Sequence, residues 1–153
     1  MHMSSDGLKL LMSSEGFRSQ VYLDVAGLET VGFGHRVLPG ESFPHGVTEE
    51  DAQIMLEDDV TLAEGVVAHL VYVPLTQGQF DALVDFVFNL GAARLADSTL
   101  LRELNKGHYD RAASEILRWD HAGGRELPAL KARRQREVAL WNAGSSCARP
   151  SAA

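Results

Sequence analysis

Residues 14–35 read SEGFRSQVYLDVAGLETVGFGH, and the rest of the chain is read outward from them. Just upstream, Leu8, Leu11 and Met12 recur at i, i+3 and i+4 behind Ser5 or Asp6 as an N-cap, which predicts a short helix stopping near Gly16. Downstream, Val21-Tyr22-Leu23 and Thr30–His35 are β-branched and aromatic runs flanking the turn Asp24-Val25-Ala26-Gly27, which predicts a hairpin. Glu15 lies seven residues after Leu8 and four after Leu11, so helical spacing puts it on the apolar stripe. Desolvation there, and the negative end of the helix dipole, both disfavour a charged carboxylate and suit a general acid. A Glu snorkelling to solvent is the ordinary alternative. Asp24 follows nine residues on, in a turn where Asp commonly bonds its own backbone, and Thr30 by itself is an ordinary strand residue. Read as one continuous strand, residues 30–35 put Thr30, Gly32 and Gly34 on one face and Val31, Phe33 and His35 on the other. A face with two glycines does not fill a core and leaves room for a backbone or a ligand. An acid favoured in its protonated form, a second acid in a polar turn and a hydroxyl beside a bare strand face are the parts of a glycosidase site.

Composition sets the frame around this stretch. The chain has 153 residues, 45% hydrophobic and 23% charged, enough for one domain with a real core and unlike disordered or fibrous chains. The single cysteine, Cys147, excludes an internal disulfide framework and fits a reducing compartment. There is no run of the roughly 18–20 apolar residues that a membrane span needs, and Lys9 and Glu15 interrupt any leader-like start. The expectation is a chain without a stable membrane anchor that accumulates in the cytoplasm where it is made. Charge is uneven: residues 1–105 hold 5 Lys/Arg and 16 Asp/Glu, whereas residues 106–153 hold 9 and 5. The basic run Lys131, Arg133, Arg134 and Arg136 could hold an anion, but such runs are ordinarily solvated helix faces. The seven carboxylates between Glu49 and Glu64 read as another exposed face. At a net charge of −7 the chain is a poor nucleic-acid binder.

Punctuation along the remainder predicts helices. Pro39-Gly40 and Pro44-His45-Gly46 mark loops. Thr48 followed by Glu49-Glu50-Asp51 has the form of a capped start and opens a helix carrying Ala52, Met55, Leu56, Val60 and Ala63. After Pro74, Thr76 opens a strongly apolar helix through Phe80, Leu83, Val84, Val87 and Phe88 to Asn89-Leu90-Gly91. Further helices are predicted over about 98–105, 109–118 and 130–142, with Gly123-Gly124 and Pro128 between the last two. The polar segment 145–153 reads as a frayed tail. The fold class is therefore α+β: one domain over 1–144, with a β-rich lobe at 17–47, a helical lobe from 48–143 plus the N-terminal helix, and a cleft between them. A monomer is expected, since no apolar stripe is left over. His2, His45, His69, His108 and His121 lack metal-ligand spacing, and Cys147 is remote from any base.

At this point the quoted stretch resembles the active-site signature of the phage-type lysozymes, the endolysins of glycoside hydrolase family 24. That signature is a Glu, an Asp nine residues on, a Thr six further on and a Gly-x-Gly-His end, met here by Glu15, Asp24, Thr30, Gly32, Gly34 and His35. The helical half is similar as well. QGQFDALVDFVFNLGAARLADSTLLRELNKGHYDRAASEILRWDHAGG from residue 77 and LPALKARRQREVALW from residue 127 match the lambdoid-phage branch, so the likeness spans about residues 6–142. Ala129 stands where that branch often has Gly, and the net acidity is unusual for an enzyme meeting an anionic wall. The resemblance implies a lysozyme-like fold and a muramidase that cuts the β-1,4 bond between N-acetylmuramic acid and N-acetylglucosamine. In it Glu15 protonates the leaving oxygen, Asp24 activates water or supports the cation-like sugar, Thr30 holds that water, and inversion results. It also implies substrate contacts at Gly32, Gly34, Asn89, Trp119 and Arg133 (or Arg134), and a structural His35 paired with Asp59. No cofactor or metal is called for. The partner is the peptidoglycan glycan strand, reached from the host cytoplasm through a holin-type pore. A lytic transglycosylase using Glu15 alone, and a non-catalytic wall-binding domain, are the competing readings.

Overall fold

The first helix, α1 (Ser5–Glu15), is capped one residue earlier than predicted: the Ser4 side chain accepts from Gly7 N. Ser4 wins over Ser5 and Asp6 because Asp81, buried in the helical lobe, receives both its backbone N–H and its hydroxyl proton. The structure, a computed structural model, describes residues 1–143; the predicted tail and Cys147 lie outside them. Gly16, at φ +67°, ends α1 by returning its N–H to Met12 O.

The chain then forms an antiparallel sheet of β1 (Arg18–Leu23), β2 (Glu29–Gly32) and β3 (His35–Arg36), in that order. Here the structure corrects the expected continuous strand over 30–35. Gly32 and Gly34 sit at φ +68° and +70°, the chain reverses at Phe33-Gly34, and Val31 pairs with His35. Thr30, Val31, Phe33 and His35 are all buried, so there is no bare face opposite a filled one. The two glycines serve close approach instead. A Cβ on Gly32 would lie 3.1 Å from the Ala52 Cβ, and one on Gly34 would run into the Glu15 carboxyl.

Helix α2 (Glu49–Leu70) starts at Thr48, whose hydroxyl accepts from Asp51 N, and lays Ala52, Leu56, Val60, Ala63 and Val67 on the core. Helix α3 (Gln77–Leu90) opens with a complete capping box between Thr76 and Gln79 and stops at Gly91, φ +92°. It is apolar on nearly every side and packs against α1, α2 and the last helix, α7 (Pro128–Ala143), which makes it the axis of the helical lobe. The short α4 (Ala92–Ala96) was not predicted, being too brief to show a period. It leads into α5 (Thr99–Asn105, capped by Ser98) and α6 (Tyr109–Ile116). Gly123-Gly124, both at positive φ, turn a second small hairpin of β4 (His121–Ala122) and β5 (Arg125–Glu126), where the sequence suggested only a break. Helix α7 (Pro128–Ala143) begins with proline at its first position.

Two surface readings are corrected. In the acidic stretch, Glu64 is buried and accepts the Met3 N–H at 2.7 Å, and Asp59 turns towards His35. In the basic run, Arg133 and Arg134 are buried, because α7 lies against α1 and α3 and brings Arg133, Glu137 and Trp141 (i, i+4, i+8) onto its inner face. Lys131 and Arg136 remain exposed as expected.

Candidate active site

Glu15 is the last residue of α1, and its side chain emerges where the helical lobe meets the β-sheet. The Gly34 turn presses on it from one side: a Cβ there would lie 2.5 Å from Oε2. From the other side, Arg133 on α7 donates through Nη1 to Oε1 at 2.6 Å. Two further donors of that guanidinium go to Asp85 on α3, with Nε to Oδ2 and Nη2 to Oδ1, each at 2.9 Å. The side chains of Asp85, Arg133 and Glu15 are 0%, 6% and 16% exposed, so the row runs from the core outward to a partly open Glu15. Besides burial and the helix end, Glu15 therefore has a guanidinium at hydrogen-bond distance, a neighbour that the sequence did not show. Arg133 as an anchor for a substrate carboxylate is corrected. Burial works against its charge, but Asp85 and then Glu15 outweigh that and hold the guanidinium above its ordinary range, with its fork already occupied.

Behind this row lies a second layer. Arg134 Nη2 donates to Asn89 Oδ1 at 2.7 Å, lies 2.9 Å from Glu137 Oε1, and its guanidinium sits 5.3 Å from the Phe86 ring centre. No donor within the described residues points at either Glu137 oxygen in hydrogen-bond geometry, and the Glu137 carboxyl meets that of Asp85. Two ionised carboxylates cannot hydrogen-bond, so one of them carries a proton. Burial pushes Glu137 well up. Asp85 goes the other way: burial opposes its charge, but the Arg133 cation outweighs it and lowers the group. Burial thus favours the neutral form at Glu137, and the Arg133 cation the charged form at Asp85.

On the sheet, Asp24 bonds its own turn, as the ordinary reading of a turn Asp allowed. Its Oδ1 accepts from Ala26 N and Leu28 N, each at 2.9 Å, while Oδ2 points towards Arg36 Nη2 at 3.9 Å. Its side chain is 27% exposed. Thr30 is buried, and its hydroxyl donates to Leu28 O at 3.0 Å, leaving the oxygen lone pairs as acceptors. Tyr22, the cross-strand partner of Thr30, joins the two acids electrostatically. Its phenol is raised first by burial and then by the negative charges of Glu15 and Asp24.

His35 touches two carboxylates, Asp59 Oδ2 through Nδ1 at 2.7 Å and Glu41 Oε1 through Nε2 at 2.9 Å. A neutral imidazole donates only once, so the pair of contacts calls for the imidazolium. Burial opposes that charge, but the bonds to Glu41 and Asp59 outweigh it and raise the group. Asn89 lines a cavity of about 290 Å³ between the sheet and the ends of α2 and α3, together with Gly34, His35, Leu62, Val66 and Phe88. Trp119 packs edge-on against Phe86 at 5.5 Å, on the core side of the helical lobe. The structure thus gathers Glu15, Gly34 and Arg133 at one place and Asp24 and Thr30 on the adjoining hairpin, with Gly32 directed into α2. Asp85, Glu137, Tyr22 and Glu41 were not singled out from sequence. The one available signal was Asp85, which with Asp81 is one of two acids inside the apolar run Phe80–Phe88.

A largely buried acid clamped at the seam between a small sheet and a helical lobe, beside a hairpin carrying a second acid, defines a two-lobed glycoside hydrolase of lysozyme type. The phage lysozyme family matches residues 12–137, and the chain belongs to that family. It is 40% identical over 144 residues to the endolysin of Salmonella phage P22, covering 92% of this chain and 98% of that protein. It is 39% identical over 149 residues to the endolysin of Bacillus phage B103, covering 95% of this chain but 56% of that one. Among solved structures, the muramidase domain of SpmX from Asticaccaulis excentricus shares the fold at a TM-score of 0.82 and 36% identity, covering 92% of this chain and 98% of that one.

Proposed function

We propose that this chain is an endolysin hydrolysing the β-1,4 bond between N-acetylmuramic acid and N-acetylglucosamine of peptidoglycan, with Glu15 as general acid. The observation that carries the reading is the Glu15 carboxyl, fixed at the lobe junction yet still partly open. Arg133 occupies Oε1, so Oε2, facing the Gly34 turn, is the oxygen that carries the proton to the glycosidic oxygen. Asp24, pinned through Oδ1, activates water or supports the developing positive charge through Oδ2. Thr30 offers hydroxyl lone pairs to that water. Inversion of the anomeric centre follows if water stands between the two carboxyls. Gly34 and Asn89 contribute substrate contacts along the cavity they line, whereas Gly32 packs on Ala52 and Trp119 on Phe86.

The test is turbidity loss of outer-membrane-permeabilised Gram-negative cells by the native chain and by Glu15→Gln. Clearing by the native chain and a loss of at least about 100-fold in the variant support the acid role. Equal clearing by both overturns it, and wall binding without clearing favours a non-catalytic domain. Reducing-end sugars in the digest, rather than 1,6-anhydro ends, separate hydrolysis from a lytic transglycosylase. Release through a holin-type pore, action as a monomer and residence in the host cytoplasm before lysis complete the proposal, on the strength of the likeness to lambdoid-phage endolysins. Expression with and without a holin, and sedimentation of the purified chain, test them.

A further inference from the structure

Acid catalysis by Glu15 raises a difficulty that its own contacts create. The carboxyl lies 2.6 Å from a buried guanidinium, a cation, whereas the reaction needs it to carry a proton. The rest of the cluster resolves this. Arg133 gives two of its donors to Asp85 and one to Glu15, so Asp85 holds the larger share of the cation's hydrogen bonding. Asp85 is fully buried and takes a two-pronged contact from the Arg133 guanidinium, which favours its charged form, while burial favours the neutral form of Glu137 beside it. With Glu137 neutral, Arg133 and Arg134 face Asp85 and Glu15, and each protonation of Glu15 leaves Asp85 to hold the guanidinium in place.

We infer that Asp85 is a positioning residue for the reaction: through its two-pronged contact it fixes the Arg133 guanidinium and offsets its charge, so that Glu15 can take up and deliver a proton without losing its place. This inference rests on Glu15 being the acid. The charged or titratable groups facing Glu15 and Asp85 are Arg133, Arg134 and Glu137 from α7 and Tyr22 from β1. Asp85 is the acid that shares the Arg133 guanidinium directly with Glu15.

The experiment is the pH profile of lysis, with kcat and KM measured separately on solubilised glycan strands, for the full-length native chain, Asp85→Asn and Asp85→Glu. In Asp85→Asn the Arg133 charge faces Glu15 without its counterweight, so the carboxylate is harder to protonate. The alkaline limb of the profile moves to lower pH by on the order of one unit, about a tenfold fall in kcat at a fixed alkaline pH. KM stays within about twofold, and Asp85→Glu moves the limb back towards the native position. A second variant covers the case in which Asp85→Asn does not fold. Asp85→Leu with Arg133→Met replaces the buried ion pair by apolar groups, an exchange proteins often tolerate. It leaves Glu15 desolvated without its cation, and its alkaline limb moves above the native one. Limbs that stay put in every folded variant, with kcat lowered uniformly, overturn the inference and leave the acid role of Glu15 intact. An active Glu15→Gln overturns the acid role itself.

Discussion

Replacing Gly34 by alanine tests how closely the β2–β3 turn is fitted to the acid. The substitution has two effects that can be separated. Gly34 lies at φ +70°, where an alanine costs roughly 1–2 kcal/mol. In addition, its Cβ would lie 2.7 Å from the Glu15 Cδ, against the 3.4 Å at which ordinary contact begins. The carboxyl must therefore retreat by about 0.7 Å, and since it already touches Arg133 on the far side it can only swing out of line. A misplacement of about 1 Å at a reacting group costs on the order of 100-fold in rate. Gly40→Ala supplies the control, because Gly40 sits at φ +89° with nothing within 4 Å of a built Cβ, so it carries the backbone cost alone. Thermal unfolding and turbidity assays on the two variants should show similar losses of about 2–8 °C. Activity per folded molecule should fall about 100-fold in Gly34→Ala and less than twofold in Gly40→Ala. Equal activity in the two folded variants would refute the idea that the turn holds Glu15 in register.

Three further outcomes are expected. Asp24→Asn keeps an oxygen to accept from Ala26 N and Leu28 N, so the unfolding temperature should stay within about 2 °C while lysis falls at least 100-fold; a turn-only role for Asp24 would leave lysis intact. Asp59→Asn removes one partner of the His35 imidazolium. The raised His35 stabilises fully below its ordinary 6.5 and loses that contribution as pH rises through its folded value, while burial raises Asp59 from its ordinary 3.8, so the ion pair between them forms above that raised value. The variant should therefore lose about 1.5–3 kcal/mol in the interval where both groups are charged and progressively less in the alkaline range, and a denaturant-measured loss that grows with pH above 6.5 would contradict the pairing. Glu137→Gln puts a neutral amide where burial favours a neutral acid. Because burial raises Glu137, the native chain loses stability as pH rises from the ordinary 4.5 towards the folded value, by up to about 1.4 kcal/mol per pH unit. The variant should show a flatter stability profile over that range, and unfolding curves of unchanged slope would contradict a neutral Glu137.

Local chemistry written into neighbouring residues was legible without the structure. The stop at Gly16, the capped starts at Thr48 and Thr76 and the apolar run through α3 follow from spacing and from what Ser, Thr and Gly do at helix ends, so their elements appear where expected. The spacing of Glu15, Asp24 and Thr30 was likewise legible, because all three lie within one helix end and one hairpin. What sequence spacing misjudged were positions whose surroundings come from far along the chain. Gly32 and Gly34 looked like the empty face of a strand and are instead the points where β2 meets α2 and Glu15. Ser4 became the cap because Asp81, 77 residues away, receives its hydroxyl and its N–H. Arg133 and Arg134 looked like a solvated basic face, since a one-dimensional pattern counts charges without knowing which side of α7 meets α1 and α3. Periodicity reports which residues share a face, but burial and charge pairing depend on what that face meets. The acid Glu15 could thus be named from the sequence alone. Its pairing with Arg133, the anchoring of Arg133 by Asp85 and the burial that favours a neutral Glu137 were decided only when tertiary packing removed water from charges that lie up to 118 residues apart.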